Sequence, residues 1–184
     1  MTPRLETHRL VLRQFATGDW DTVRAILSHP ESTRFMHFAT LTEDQRRQWF
    51  DTCVTDAQHP DPNPFFWAIT LKETGNLIGW LGLERSIDPA TPGEHSIGYL
   101  LHRPYWNQGY MTETLRSVIA DQFGTRGALR LQATCSVDNP ASARVMEKAG
   151  MRHEKTVVGD SSEGRPEQRH HYAITKANYE SRQA

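Results

Sequence analysis

Short stretches in which apolar and polar residues alternate recur along this chain, and such alternation predicts β-strands with one buried face. Between them lie segments whose apolar residues are three and four positions apart, the spacing of an amphipathic helix. In chain order the two patterns predict β-α-α-β-β-β-α-β-α-β-β, with about seven strands and about four helices. The strands are predicted near residues 5–13, 65–70, 77–84, 96–101, 129–135, 152–158 and 168–175. The helices are predicted near residues 17–29, 43–56, 113–123 and 140–149.

The starts of two predicted helices carry polar residues that cap a helix. Thr42 and Gln45 have the spacing of a capping box, in which each side chain bonds the other residue's backbone N–H. Asn139 is a favourable N-cap, and Pro140 suits the first helical position after it. Gly150 follows the same helix, at a position where glycine often ends a helix. These signals predict one helix start at Thr42 and another at Asn139.

Residues 94–112 combine a predicted strand with a tight loop, and a helix is predicted to open directly afterwards at Glu113. Free backbone N–H groups at a helix start, together with the helix dipole, form a site for an anion such as a phosphate. Gly109 would let a phosphate oxygen approach without meeting a Cβ atom. The loop lacks the Lys-Ser/Thr of P-loops and the G-x-G-x-x-G of dinucleotide sites. From these residues alone, an anion site and a plain strand–turn–helix connection both stay open.

Length and composition indicate a single domain over residues 1–184, with a formal net charge of −1. No block of like charges suggests a nucleic acid or a membrane surface as a partner. The two cysteines form no motif, and His170 and His171 are adjacent on a predicted strand, so they would face opposite ways and share a metal poorly. We therefore expect no metal. With no signal peptide and no long apolar run, we also expect a soluble cytoplasmic protein.

Three blocks of the sequence resemble a known enzyme family. Residues 97–113 read I-G-Y-L-L-x-x-x-Y-W-x-x-G-Y-M-T-E, which is similar to the acetyl-CoA-binding core of the GCN5-related N-acetyltransferases. Residues 139–151 resemble the N-x-x-S-x-x-x-x-x-K-x-G-F/M segment of the same family, and residues 5–13 resemble its first strand. Within the family, the chain most resembles the ribosomal-protein N-acetyltransferases of the RimJ/RimL type.

The resemblance implies an α/β (α+β) fold with a mixed, mostly antiparallel twisted sheet, whose ligand lies where two neighbouring strands splay apart. It implies an enzyme that transfers an acetyl group directly from acetyl-CoA, a co-substrate, to a primary amine in a ternary complex. The RimJ/RimL branch suggests a protein N-terminal amine as acceptor. A small amine, such as an antibiotic, polyamine or amino acid, and a non-catalytic acetyl-CoA-binding module are the alternatives. Whether the protein is a monomer or a homodimer stays open.

By the same resemblance, the loop would hold the coenzyme's pyrophosphate through backbone N–H groups. The pantetheine arm would pair with the end of the central strand, and Asn139 would hold it from the other side. Three loop residues differ from those usual in the family, namely Trp106, Asn107 in place of a glycine, and Met111 in place of a small residue. The predicted coenzyme-binding residues are Leu100, Leu101, His102, Asn107, Gln108, Gly109, Tyr110, Met111, Thr112, Asn139 and Ser142.

For catalysis, the resemblance implies that Ser142 is the general acid that protonates the leaving thiolate, although a serine there is also a common capping residue. Many relatives place a glutamate just before the central strand, where this chain has Ser96. The candidates for the general base are, in order, Glu84 acting through a water, His95 and Glu94. Capture of a neutral amine without a protein base is also compatible. A covalent route through Cys135 is disfavoured, since nothing near it in sequence would lower its thiol pKa.

Three loops would shape the acceptor site in such a fold, at residues 35–41, 86–93 and 160–166. The first holds an apolar cluster, residues 35–38, which would either pack between two helices or form a wall for the acceptor. An N-terminal peptide needs an open groove for extended backbone, whereas a small polar amine needs a closed pocket lined with carboxylates. The shape of these loops therefore decides between the two acceptor classes.

Overall fold

The computed structural model describes residues 4–59, 61–160 and 164–183, and a single eight-stranded sheet runs through them. The strands are β1 (Leu5–Glu6), β2 (Leu10–Arg13), β3 (Phe65–Leu71), β4 (Leu77–Arg85), β5 (Glu94–Leu101), β6 (Arg130–Ser136), β7 (Arg152–Asp160) and β8 (Pro166–Thr175). Their order across the sheet is β1-β2-β3-β4-β5-β6-β8-β7. Every neighbouring pair is antiparallel except β5 and β6, which run parallel. This mixed, mostly antiparallel sheet confirms the predicted fold class.

The described helices are α1 (Trp20–Ser28), α2 (Pro30–Thr33), α3 (Glu43–Asp56), α4 (Tyr110–Gly124), α5 (Pro140–Lys148) and α6 (Lys176–Glu180). The sheet has one strand more than predicted, and two helices are additional. The extra elements β1, α2 and α6 contain two, four and five residues. Segments this short cannot show a hydrophobic period. Within the described residues, no helix combines the length and apolar character needed to cross a membrane.

The two predicted helix caps form as the sequence indicates. Thr42 Oγ1 accepts the N–H of Gln45 at 3.3 Å, and Gln45 Oε1 accepts the N–H of Thr42 at 2.8 Å. At the start of α5, Asn139 Oδ1 accepts the N–H of Ser142 at 3.1 Å. Both helix starts are therefore confirmed at their predicted positions.

Helix α4 begins at Tyr110, earlier than the predicted start at Glu113. Gly109 precedes it in the left-handed conformation, with φ of 81°, and turns the chain directly into the helix. Residues 110–112, which were expected to belong to the loop, therefore form the first helical turn. The apolar face of α4 is buried, and it contains Leu115, Val118, Ile119 and Phe123.

Helices pack on both faces of the sheet, and β5 contributes to each side. Ile97 and Leu101 belong to the apolar cluster that includes the buried face of α4. Leu100 belongs to a second cluster, which includes buried residues of α1 and α3. Because side chains alternate along a strand, the residues of β5 divide between an α4 face and an α1/α3 face of the sheet.

Candidate active site

The parallel strands β5 and β6 separate part-way along their length. They pair at three positions, which are Glu94 with Arg130, His95 with Leu131, and Ser96 with Gln132. β5 then continues to Leu101 and β6 to Ser136, with no further pair between the described residues of the two strands. A cleft of about 470 Å³ lies at this splay and is bordered by the N-terminal ends of α4 and α5. The splay is where the resemblance places a ligand.

The hydrogen bonds between β4 and β5 show which backbone groups of β5 face the cleft. The Ser86 N–H donates to the Glu94 carbonyl at 2.8 Å, and the His102 N–H donates to the Ile78 carbonyl at 2.8 Å. Even-numbered positions from 94 to 102 therefore direct their backbone groups toward β4. Because these groups alternate along a strand, the odd-numbered positions direct theirs to the β6 side, which is the cleft.

Tyr99 and Leu101 consequently present their backbone at the edge of the cleft. The Leu101 carbonyl accepts the indole N–H of Trp106 at 2.6 Å, while its N–H faces the cleft. Leu100 also lines the cleft, but its backbone faces β4. The N–H of His102, another predicted coenzyme residue, is already bonded to β4. The geometry thus adds Tyr99 to the predicted set, and the cleft-facing groups are those of Tyr99 and Leu101.

The turn that precedes α4 forms one end of the cleft. Asn107 and Gly109 both have positive φ, 59° and 81°, so two left-handed residues fold the chain tightly. Asparagine tolerates this conformation better than most residues, which accounts for Asn107 where the resembled family usually has glycine. The predicted turn residues that line the cleft are Asn107, Gly109, Tyr110, Met111 and Thr112.

Gln108 plays a different part from its neighbours in the turn. It is not among the described residues that line the cleft. Its side-chain amide donates to the Pro104 carbonyl at 3.0 Å, and its own carbonyl accepts a hydrogen bond from Arg9 at 3.0 Å. Both bonds fix the backbone of the turn from outside the cleft.

Ser142 lies in the cleft beside a tyrosine that sequence reasoning did not select. The Tyr99 hydroxyl is 2.8 Å from Ser142 Oγ and also donates to the Ser142 carbonyl at 3.2 Å. Burial raises the pKa of Tyr99, so its hydroxyl stays protonated near neutral pH. Tyr99 is the third residue of the I-G-Y-L-L block, but only the alternation of β5 and the fold of α5 bring it to Ser142.

Cys135 also lines the cleft, at the end of β6. Its thiol is buried, and burial raises its pKa above the ordinary value, an effect that a hydrogen bond with Ser142 only partly offsets. A protonated thiol is a poor nucleophile. This environment argues against a covalent route through Cys135.

Among the three candidates for the general base, only His95 lies on the α4 face of the sheet, and none of the three is among the described residues that line the cleft. Glu84 is exposed and pairs with Ser96 in the β4–β5 ladder, so it lies on the α1/α3 face of the sheet. His95 is buried on the opposite face, with Nδ1 3.1 Å from Gln122 Oε1 of α4. Glu94 forms an ion pair with Arg130 at 3.2 Å.

Within the described residues, the α1/α3 face of the sheet is open beside the cleft. Gly82 and Gly98 are ladder partners, and Phe66 covers Gly82 but leaves Gly98 uncovered, since a Cβ added there would meet no atom within 4 Å. Ser96, Gly98 and Thr134 are exposed along this surface, and Gly98 and Thr134 also line the cleft, so the surface is continuous with it. These three residues form what we call the open floor, because the described helices leave it uncovered beside the cleft.

A family model described as an acetyltransferase (GNAT) domain matches residues 9–152. The chain belongs to the GNAT acetyltransferases. It is 30% identical over 155 residues to the Bacillus subtilis protein named uncharacterized N-acetyltransferase YoaA, and the match covers 84% of this chain and 85% of YoaA. Members of this family are enzymes that use acetyl-CoA as the acetyl donor, so this protein is an acetyltransferase.

Solved GNAT structures share the fold. An acetyltransferase of the GNAT family from Bacillus anthracis has a TM-score of 0.83 at 22% identity, with 95% of this chain and 99% of that chain covered. RimL, the ribosomal L7/L12 alpha-N-protein acetyltransferase, in complex with coenzyme A has a TM-score of 0.79 at 17% identity, with 94% and 98% covered. At these low sequence identities, the similarity shows a shared fold only.

The three loops that were expected to shape the acceptor site differ in their contacts with the cleft. Phe35 and Met36 line the cleft, whereas Phe38 packs on Trp49 and Trp80, with ring centroids 4.7 and 5.6 Å apart. The apolar cluster 35–38 therefore serves both packing and the wall of the cleft. The loop 86–93 is not among the described cleft residues, and within the loop 160–166 residues 161–163 lie outside the described residues.

The environment of His95 makes a prediction for the stability of this GNAT domain. Burial lowers the pKa of His95, and Arg85 adds to this, while the hydrogen bond with Gln122 opposes it. His95 therefore binds a proton more readily in the unfolded chain than in the folded protein. The contribution of neutral His95 to the free energy of unfolding is full above the unfolded pKa, about 6.5, and is lost as the pH falls below that value. We expect the melting temperature of His95→Asn to fall less from about pH 8 to about pH 5 than that of the wild type. Equal losses in thermal melts would contradict this role.

Proposed function

We propose that the protein transfers the acetyl group of acetyl-CoA to the N-terminal amine of a protein or peptide, as enzymes of the RimJ/RimL branch do. The open floor beside the cleft carries this proposal. Ser96, Gly98 and Thr134 are exposed there, and Gly98 leaves room for an approaching backbone. An extended peptide N-terminus needs such an open surface, because it must enter end-on and lie along the sheet.

The charges in the cleft also favour a peptide over a small polyamine. Such a cation would need carboxylates around it, and Glu31 and Asp138 are the carboxylates among the described cleft residues. Glu31 is paired with Arg103 at 3.2 Å, so it already has a cationic partner. The name of RimL, an acetyltransferase of the ribosomal L7/L12 N-terminus with the same fold, is compatible with this acceptor class.

In the proposed complex, the first turn of α4 would receive the pyrophosphate of acetyl-CoA. Its first N–H groups have no partner within the helix, and the positive end of the helix dipole favours an anion. The pantetheine amides would pair with the cleft edge of β5 at Tyr99 and Leu101. A backbone N–H of that edge would polarise the thioester carbonyl, and Asn139 would hold the arm from the α5 side.

The transfer itself would be direct. The neutral amine attacks the thioester carbonyl, the C–N bond forms, and the C–S bond breaks as the tetrahedral intermediate collapses. Ser142 Oγ would donate a proton to the departing thiolate, and the neighbouring Tyr99 hydroxyl would orient that serine. The amine loses a proton to a base or to solvent, and Ser142 regains a proton from solvent, so the products are the acetylated amine and free CoA.

Glu84 fits the base better than its two rivals because it is exposed on the face of the open floor and, unlike Glu94 on the same face, is not the residue paired with Arg130. Its ladder partner Ser96 belongs to that floor, whereas His95 faces α4 and Glu94 is paired with Arg130. We expect Glu84→Gln to lower kcat about tenfold with little change in the KM for acetyl-CoA, because proton removal through one water contributes modestly. A steady-state assay tests this, with Glu73→Gln, in the distant β3–β4 turn, as control. An unchanged kcat would favour capture of a neutral amine without a protein base.

The acceptor class is tested with a matched panel assayed by thiol release. Peptides with a free N-terminus are compared with the same peptides blocked at that amine, and with polyamines, amino acids and aminoglycosides. The proposal predicts turnover of the free peptides alone and an acetyl group on their N-terminal nitrogen by mass spectrometry. Turnover of small amines, with none of the free peptides, would overturn it.

A further inference from the structure

Arg9, between β1 and β2, connects the turn that borders the cleft with the start of α4. Its Nε donates to Glu113 Oε2 at 2.8 Å, and Nη2 is 2.7 Å from the same oxygen. Its Nη1 donates to the Gln108 carbonyl at 3.0 Å, and the guanidinium lies 4.3 Å from the centre of the Tyr110 ring. The Arg9 side chain thus contacts Gln108 in the turn before α4, and both Tyr110 and Glu113 in the first turn of the helix.

Glu113 presents an electrostatic difficulty that these contacts resolve. It is the acidic residue in the first turn of α4, close to where a coenzyme phosphate would lie. Its carboxylate accepts the Thr7 hydroxyl at 2.5 Å and the Arg9 N–H at 2.8 Å, in addition to the guanidinium. Although burial alone would raise the pKa of Glu113, the bonds from Thr7 and Arg9 hold it below the ordinary value. The group is therefore anionic, and its charge needs a partner.

We propose that Arg9 is a positioning residue for coenzyme binding, which holds the turn in its phosphate-receiving shape and offsets the charge of Glu113. The inference rests on the proposed coenzyme site. Arg9 is not among the described residues that line the cleft, so it acts from behind the turn. It fixes the Gln108 carbonyl between two left-handed residues, Asn107 and Gly109, and so limits the backbone at the most strained part of the turn.

Only arginine suits this position among the cationic residues. Its planar fork has five donors, so it can bond a carboxylate and a carbonyl at once while stacking on an aromatic ring. Lysine would keep the charge but lose the geometry, and glutamine would lose the charge. The two substitutions therefore separate the two parts of the proposed role.

The experiment compares Arg9→Gln and Arg9→Lys with Arg13→Gln, the matched control. Arg13 makes an ion pair of the same length with Asp19 at 2.7 Å, on the same segment, but its guanidinium bonds Asp19 and the Gln14 carbonyl rather than the turn before α4. Calorimetric titration measures the Kd for CoA and for S-acetylpantetheine, which has no phosphates. We expect Arg9→Gln to weaken CoA about tenfold and S-acetylpantetheine less than about twofold, with Arg9→Lys intermediate. Arg13→Gln should leave both values unchanged.

A double substitution tests separately whether Arg9 offsets the charge of Glu113. Adding Glu113→Gln to Arg9→Gln should recover part of the lost CoA affinity, because the uncompensated anion beside the phosphates is removed. Wild-type CoA affinity in a folded Arg9→Gln protein, or an equal loss for both ligands, would overturn the proposal. If Arg9→Gln does not fold, Arg9→Lys gives the same comparison. Failure of the wild type to bind CoA would instead refute the coenzyme site itself.

Discussion

Replacing Gly109 with valine is expected to weaken CoA binding about a hundredfold, or by about 2.7 kcal/mol. Gly109 has φ of 81°, a conformation that a β-branched residue adopts only with strain. Gly109 is also the N-cap of α4, directly before the first N–H groups of the helix. The nearest protein atom to an added Cβ is Arg9 Nη2 at 3.5 Å, an ordinary contact, so crowding within the free protein is slight.

Gly75→Val is the matched control for this change. Gly75 has φ of 73° in the turn between β3 and β4, has no atom within 4 Å of an added Cβ, and is not among the described cleft residues. Both variants should therefore lose a similar stability, about 1–2 kcal/mol, from backbone strain. Calorimetric titration with CoA should separate them. If both bind CoA with the same Kd as the wild type, the phosphates do not rest on this turn.

Replacing Ser142 with alanine is expected to lower kcat about a hundredfold and to change the Kd for acetyl-CoA little, because the variant loses a proton donor to the thiolate. The helix cap should survive, since Asn139 Oδ1 accepts the backbone N–H of residue 142, which alanine retains. A fall in kcat would therefore report on the hydroxyl rather than on the start of α5. Steady-state kinetics with an accepted amine provide the measurement.

Tyr99→Phe serves as the companion to this variant. It removes the hydroxyl 2.8 Å from Ser142 Oγ but leaves the serine in place. We expect a smaller fall in kcat, about tenfold, because the acid is present but less well oriented. If Ser142→Ala turns over at the wild-type rate, the serine is only a residue of the helix cap, and the thiolate takes its proton from solvent.

Sequence patterns predicted the features that are determined by interactions between residues close together in the chain. The capping box of Thr42 and Gln45 and the Asn139 cap need only residues three positions apart, and both form as predicted. The start of α4 was placed too late, because nothing in the residues 110–112 distinguishes a loop from a first helical turn. The conformation of Gly109 decides that boundary, and it appears only in the folded backbone.

The residues missed by sequence reasoning are those whose role depends on distant contacts. Arg9 reaches Gln108 and Glu113 across about a hundred residues of chain, and no local period connects them. Tyr99 was visible in a motif, but its contact with Ser142 depends on where the fold places the start of α5 relative to β5. For His95, alternation along β5 places its side chain on the face opposite Ser96, and the packing of α4 against that face explains its burial.

The central claim is that the cleft between β5 and β6 binds acetyl-CoA through the turn before α4. Calorimetric titration of the purified protein with acetyl-CoA, together with the melting temperature at each ligand concentration, tests it most directly. We predict saturable binding at one site per chain and a melting temperature that rises with ligand concentration. At a ligand concentration a hundredfold above Kd, the free energy of unfolding should rise by about 2.7 kcal/mol. No binding heat and an unchanged melting temperature would contradict the claim.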